Sequence, residues 1–236
     1  MASARATGRE RAASLSDAEQ VARFKRDAAY AAAELVQDGM RVGLGTGSTV
    51  AFLLQALSER SLAQARFAAT SPATEQGARA LGLSVATLDE LGELDLAIDG
   101  ADQVDPRCWL IKGGGAAHTR EKIVAAAAHE FVVIVSAEKL VESLSAPVPL
   151  ELVPFAVQTT LSALGHAELR DVPKSPDGGL IADYLGPIGD VRELASRLSA
   201  QPGVVEHGLF APETVSAVLS ADESGVQRRD GAKPPR

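Results

Sequence analysis

The chain has one cysteine, Cys108, among 236 residues. A lone cysteine excludes an intramolecular disulfide and a cysteine-based metal cluster, and it fits a reducing compartment, so a cytoplasmic location is expected. No apolar run approaches the ~20 residues that span a bilayer, and no membrane partner is expected. Basic residues are the minority, with 23 Lys and Arg against 31 Asp and Glu and a formal net charge of −8. A nucleic-acid surface needs a basic stripe, so that partner class is set aside. Two nucleotide signatures are also missing. The turn Gly43–Thr49 has no lysine to close a P-loop. Its position 48 is serine where a dinucleotide fingerprint needs a third glycine, and the next apolar segment ends in Thr70 and Ser71 without an acidic residue. An acidic chain that binds an anion must do so with local lysines, amides and helix ends.

What is present is a regular alternation of short apolar segments and helical stretches. Val21, Phe24, Ala28, Ala31, Ala32 and Leu35 recur at helical spacing, which predicts a helix from Asp17 to about Gln37. Strands are expected at Arg41–Leu44, Phe67–Ala69, Ser84–Ala86, Leu94–Ile98 and Phe131–Val135. Helices are expected at Ser48–Glu59, Ala73–Leu81 and Thr119–His129. This order predicts a mainly parallel sheet with right-handed crossovers, the α/β class, with ligands beyond the carboxyl ends of the strands. Pro147, Pro149 and Pro154 mark a change of texture. Beyond them a helix around Ala156–Leu164 precedes a hairpin (His166–Val172 and Gly179–Tyr184). A helix over Gly189–Leu198 and strands at Val204–Leu209 and Thr214–Ser220 follow. The β-α-β-β-α-β order suggests a small ferredoxin-like α+β unit. The expected division is a leader over 1–16, a main unit over 17–146 completed by about 208–221, an inserted unit over 147–207, and a polar tail over 222–236. Leader and tail are expected to be disordered.

Three loops carry the chemistry-bearing residues. Gly45-Thr46-Gly47-Ser48-Thr49 joins a strand to a helix, where hydroxyls, amides and a helix N-terminus can cradle a phosphate. The plain alternative is a glycine-rich turn with Ser48 and Thr49 as helix caps. Asp99-Gly100-Ala101-Asp102-Gln103-Val104-Asp105 places three carboxylates just past a buried strand. Such groups serve as metal ligands or as general acid and base. Metal binding is the weaker option, because no histidine lies nearby at ligand spacing and Lys112 competes for the same pocket. Lys112-Gly113-Gly114-Gly115-Ala116-Ala117-His118-Thr119-Arg120-Glu121-Lys122 runs into a helix. Its glycines let backbone N–H groups converge on a ligand, with an ionisable pair, Lys112 and Glu121, at the two ends. His118, His129, His166 and His207 are scattered and receive no role. Cys108 and Trp109 are expected to pack at a strand start, and Asp105-Pro106 to form a turn.

Together, Gly45–Thr49, Asp99-Gly100-Ala101-Asp102 and Lys112-Gly113-Gly114-Gly115…Arg120-Glu121-Lys122 resemble the signature set of the type A ribose-5-phosphate isomerases. Thr70-Ser71…Thr74, Lys139 and Pro202-Gly203-Val204-Val205…Gly208-Leu209-Phe210 extend the resemblance over about Ala18 to Leu219. It implies a Rossmann-like domain with a smaller inserted α+β domain, and interconversion of D-ribose 5-phosphate and D-ribulose 5-phosphate through an enediolate. It implies no metal or organic cofactor, and a homodimer or homotetramer. Carried over residue by residue, Glu121 would be the general base, Lys112 with the amides of Gly113, Gly114 and Gly115 would face the developing oxyanion, and Asp99 would assist ring opening. Asp102 would hold hydroxyls, and Gly100 and Ala101 would also touch the substrate. Thr46, Gly47, Ser48 and Thr49 would take the phosphate, with Lys25 and Lys139 as cationic partners.

The match has departures. Gln103 replaces the usual glutamate after Asp-Gly-Ala-Asp, His118 stands where leucine is common, and Lys174-Ser175-Pro176-Asp177-Gly178-Gly179 replaces the usual hairpin. Two other readings compete. A non-catalytic sugar-phosphate sensor explains the cradle but not the Lys112 and Glu121 pair. A CoA transferase relative is disfavoured by the cradle and the chain length.

Overall fold

A computed structural model describes residues 16–234, so the expected leader lies outside the described residues except for Ser16. Ser16 caps the first helix, α1 (Asp17–Ala33), in a reciprocal capping box with Glu19. That box satisfies two backbone donors which helix geometry would otherwise leave unpaired. Next come β1 (Arg41–Leu44), α2 (Ser48–Ser58), β2 (Arg66–Ala69), α3 (Pro72–Ala80), the single turn α4 (Leu88–Leu91) and β3 (Leu94–Asp99). Two short strands, β4 (Gln103–Val104) and β5 (Leu110–Ile111), precede α5 (His118–Ala127) and β6 (Ala128–Ser136). The remainder holds β7 (Val148–Leu152), α6 (Val157–Leu164), β8 (Ala167–Leu169), β9 (Leu180–Tyr184), α7 (Val191–Ala200), β10 (Val204–His207), β11 (Leu209–Phe210), β12 (Ala217–Asp222) and β13 (Gly225–Asp230).

The fold is α/β. Its central sheet runs β13-β12-β6-β3-β1-β2, parallel throughout except for the antiparallel β12–β13 pair. β6 is a nearly continuous apolar run because both faces are covered. On one face α1, α2 and α3 bury Phe24, Leu53 and Leu57 against Leu96, Ile98 and Val132, each large side chain contributing about 1.5–3 kcal/mol. Ala28, Ala29 and Ala32 on α1 let that helix approach closely. The other face carries α5 together with a small antiparallel sheet, β11-β5-β4. A separate core of Val148, Leu150, Leu152, Tyr184, Leu194 and Leu198 underlies a four-stranded antiparallel sheet, β10-β7-β9-β8. Its β-α-β-β-α-β chain order is the split-βαβ arrangement.

The order β2-β1-β3 sets the position of the cleft. From β1 the chain crosses to β2 on one side, while β3 lies on the other, so the loops leaving β1 and β3 diverge. Crevices in open α/β sheets form at such switch points.

Several segments differ from expectation. The tail is ordered through β13, which pairs residue for residue with β12 from Ala217↔Asp230 to Asp222↔Gly225. Its side chains are exposed, so main-chain ladder bonds hold it rather than apolar burial, and charged Arg228, Arg229 and Asp230 suit an edge strand. Ser84–Ala86 contributes only an isolated bridge, Phe67↔Val85. The helix expected over Thr119–His129 stops at Ala127, and β6 starts at the next residue. Val204–Leu209 divides at Gly208 into β10 and β11, which belong to different sheets. β7 runs through Pro149, which the proline-based boundary hides. Within a strand the N and O of one residue face the same edge, and Pro149 O accepts from Gly208 N at 2.7 Å. Ladder pairing with β10 has already ended at Leu150, so the missing N–H costs nothing.

Candidate active site

Each of the three loops reaches the cleft by a different route. β1 and β3 pair in register up to Leu44↔Ile98, which sets Gly45 against Asp99. A Cβ on Gly45 would lie 1.8 Å from Asp99 Cγ, so only glycine permits this approach. β5 delivers Lys112 at its end, and Lys112 N donates to Gly208 O at 2.9 Å as β11 closes over it. Glu121 enters from the first turn of α5, its N–H bonded to Ala117 O at 3.0 Å.

The centre of the cleft is a buried ion triad. Lys112 Nζ lies 2.8 Å from Asp99 Oδ2, 3.0 Å from Glu121 Oε2 and 2.6 Å from Gly100 O. All three side chains are buried. Asp99 Oδ1 accepts from Thr46 N at 3.0 Å and Gly100 N at 2.7 Å, which spends its second oxygen on backbone. Burial raises the Glu121 carboxyl to about 8, and the negative charge of Asp99 pushes the same way against the pull of Lys112. A helix N-terminus favours the carboxylate, but here burial wins. Burial likewise raises Asp99, opposed by Lys112. For Lys112 burial acts to lower the pKa, and the two carboxylates reverse it, so the ammonium is held charged. A carboxyl poised near neutrality against a fixed cation is suited to moving a proton beside a developing oxyanion.

Around the triad, Thr46, Gly47, Ser48, Thr49, Gly100, Ala101, Asp102, Gly113, Gly114 and Gly115 line one continuous cleft with Lys25 and Lys139. Lys112 and Glu121 border it too, whereas Asp99 is buried behind Lys112 and does not line it. Ser48 and Thr49 are not the caps of α2. Gly47 is the N-cap and makes no side-chain bond. The Ser48 hydroxyl instead accepts from Lys25 Nζ at 3.1 Å, joining α1 to this wall. Asp102 accepts from Gly114 N at 2.8 Å, which ties the second loop to the third. Asp105 is separate: it accepts from Arg107 N and Trp109 N in a turn. Buried Cys108 and Trp109 precede β5. Among the described residues no group of three or more His, Cys, Asp or Glu side chains could hold a metal ion, and no helix is long and apolar enough to cross a membrane.

The family model of ribose 5-phosphate isomerase A (phosphoriboisomerase A) matches residues 66–225. The chain belongs to that family. A ribose-5-phosphate isomerase A of Thermosynechococcus vestitus is 46% identical over 208 residues, covering 80% of this chain and 88% of the relative. The solved ribose 5-phosphate isomerase A of Methanocaldococcus jannaschii superposes with a TM-score of 0.82 at 37% identity, covering 88% of this chain and 98% of that one. A solved D-ribose-5-phosphate isomerase in complex with phospho-erythronic acid gives a TM-score of 0.84 at 35% identity, covering 89% and 99% of the two chains.

Against the isomerase A pattern, the departures fall away from the triad. Gln103 exchanges two hydrogen bonds with Ser145, donating to its O and accepting from its N, both at 2.9 Å. His118 is buried, and burial lowers it to about 4, so it is neutral packing for the glycine loop. In the altered hairpin, Arg120 pairs with Asp177, and Glu151 accepts from both Thr119 and Ser175. Sequence reasoning assigned no role to Thr70 and Thr74. Thr46 Oγ1 lies 2.8 Å from Thr70 Oγ1, and Thr74 Oγ1 donates to Gly45 O at 2.8 Å. Their signals in the sequence are the family resemblance of Thr70-Ser71…Thr74 and their place beside β2. Arg170 was missed entirely, and it reaches the glycine loop from another sheet.

Proposed function

We propose that the chain interconverts D-ribose 5-phosphate and D-ribulose 5-phosphate, an aldose–ketose isomerisation. The observation that carries this reading is the buried Lys112 ammonium bridging Asp99 and Glu121 at the floor of a cleft. Glu121 takes the proton from C2 and returns it to C1, a transfer one carboxylate can perform on adjacent carbons, while the proton of the C2 hydroxyl is passed to O1 to leave the ketone at C2. Lys112 and the glycine-loop amides stabilise the enediolate oxygen between the two steps. Asp99 assists ring opening and Asp102 holds hydroxyls. The phosphate sits at Thr46–Thr49, where free N–H groups open α2 and Lys25 and Lys139 supply charge. Phospho-erythronic acid, bound in the related structure, carries a phosphate at one end and a carboxylate at the other, and this cleft offers cations for both. The reading includes a cytoplasmic, self-associating enzyme whose catalytic unit spans 17–146 and 208–221. Exposed Phe155, Val153 and Val205 on the 147–207 unit are its candidate contact residues.

The test is turnover of ribose 5-phosphate by purified protein with a chelator present. Expected are robust ketose formation and a loss of about 10²–10⁴-fold in Glu121→Gln, which still binds phospho-erythronic acid. Tight phosphosugar binding by unmodified protein without turnover would replace the isomerase with the sensor reading. Inhibition by the chelator would overturn the cofactor-free expectation.

A further inference from the structure

Arg170 stands just after β8 on the four-stranded sheet, remote in sequence from every loop of the cleft. Its guanidinium makes four hydrogen bonds. Nε and Nη2 form a bidentate pair with Asp183 at 2.7 and 2.6 Å, on the neighbouring strand β9. Nη1 donates across to Gly113 O at 3.0 Å and Gly114 O at 3.3 Å. Its backbone is tied as well, since Arg170 N donates to Ile181 O at 2.9 Å.

The consequence is directional. In a planar trans peptide the C=O and the next N–H point opposite ways. Drawing the Gly113 and Gly114 carbonyls toward Arg170 therefore turns the N–H groups of Gly114 and Gly115 to the other side. Gly114 N meets Asp102 at 2.8 Å, and Gly115 lines the cleft. Three glycines have no side-chain restraint of their own, and Gly113 adopts φ +107; within the loop its O accepts one turn bond, from Ala116 N at 3.0 Å. The same sheet also closes on this loop at Pro149, whose Cβ would lie 2.8 Å from a Cβ on Gly113.

We propose that Arg170, held by Asp183, is a positioning residue that fixes the amide orientation of the glycine loop along the wall of the cleft. The inference rests on the isomerase reading above. Lysine cannot replace it, because one ammonium cannot make a forked pair with Asp183 and reach two carbonyls. Misorientation of such donors costs rate more than ground-state affinity, and the phosphate is gripped elsewhere.

The experiment is steady-state kinetics on full-length Arg170→Met, Arg170→Lys and Asp183→Asn. It is accompanied by amide hydrogen exchange over residues 113–116 and by thermal melts. Expected are a fall in kcat of about 10–100-fold for both Arg170 variants with KM changed less than about 3-fold, and a smaller fall for Asp183→Asn. Exchange at Gly114 should be faster in all three. In Arg170→Ala, added guanidinium ion should recover part of kcat. If kcat stays within 2-fold while the melting temperature drops, Arg170 is only a structural tie and the proposal is wrong. A raised KM at unchanged kcat overturns it as well. Absent turnover in the unmodified protein would sink the isomerase reading instead, and activity surviving Glu121→Gln would remove Glu121 as its base. In either case unaltered exchange at Gly114 would still overturn the positioning role.

Discussion

Lys112→Met probes the electrostatics of the triad, because methionine keeps most of the apolar stem of lysine while removing its charge and its N–H donors. The ammonium lies 2.8 and 3.0 Å from two buried carboxylates and caps the Gly100 carbonyl at 2.6 Å. Removing one partner of a buried ion pair costs about 3–5 kcal/mol, since the remaining charge is left without compensation. The cost depends on pH, and its sign follows from linkage. Burial and Asp99 already raise Glu121 to about 8, with Lys112 opposing. Without Lys112, both Asp99 and Glu121 move further up. A carboxyl whose folded pKa exceeds its unfolded value binds more protons when folded, so stability is lost as pH rises through that window. The variant should therefore lose less near pH 5.5, where Glu121 is protonated and only the contacts with Asp99 and Gly100 are given up, than at pH 8.5, where the loss should reach about 3 kcal/mol or more. At about 2–4 °C per kcal/mol for a chain of this size, the melting temperature should fall by roughly 6–12 °C at the higher pH. Urea unfolding of both proteins at the two pH values measures this directly. An equal loss at both, or less than about 1 kcal/mol at pH 8.5, would refute the triad as an electrostatic unit.

Two further outcomes follow from the same geometry. Gly45→Ala places a Cβ 1.8 Å from Asp99 Cγ and Oδ1, so Asp99 must leave Thr46 N and Lys112. kcat/KM should fall at least about 10²-fold with a stability loss of about 1–3 kcal/mol, and wild-type kinetics in that variant would show that Asp99 need not be held there. Because Glu121 must be ionised to act as a base, kcat/KM should drop about tenfold per pH unit below its acid midpoint. Asp99→Asn removes the charge that, after burial, most raises Glu121. The midpoint should then shift to lower pH, and an unchanged or higher midpoint would break the assignment.

The residues of the cleft were legible because their chemistry is local. A strand running into Gly-Thr-Gly-Ser-Thr, or a lysine leading three glycines into a helix, constrains the backbone within a few residues. The parallel sheet was legible for the same reason, since period and punctuation reveal each βα unit. What escaped notice lacks a local signal. β13 is held by main-chain bonds to β12 with exposed side chains, and its polar composition reads as a tail. β7 hides behind Pro149, harmless there only because pairing with β10 has ended. Arg170 is an unremarkable arginine in a hairpin until the fold brings that hairpin against residues 113 and 114.

By itself, then, the sequence determined the fold class, the family and most of the groups that border the cleft. Tertiary structure decided how those groups share charge. A glutamate at a helix N-terminus can lie low or high in pKa. Burial against Lys112 and Asp99 raises it to about 8, because the cost of desolvating a carboxylate depends on everything packed around it. The loop from Lys112 to Glu121 carries its lysine, glycines and glutamate in the sequence. Two of its carbonyls meet an arginine from a different sheet, which no neighbouring residue announces.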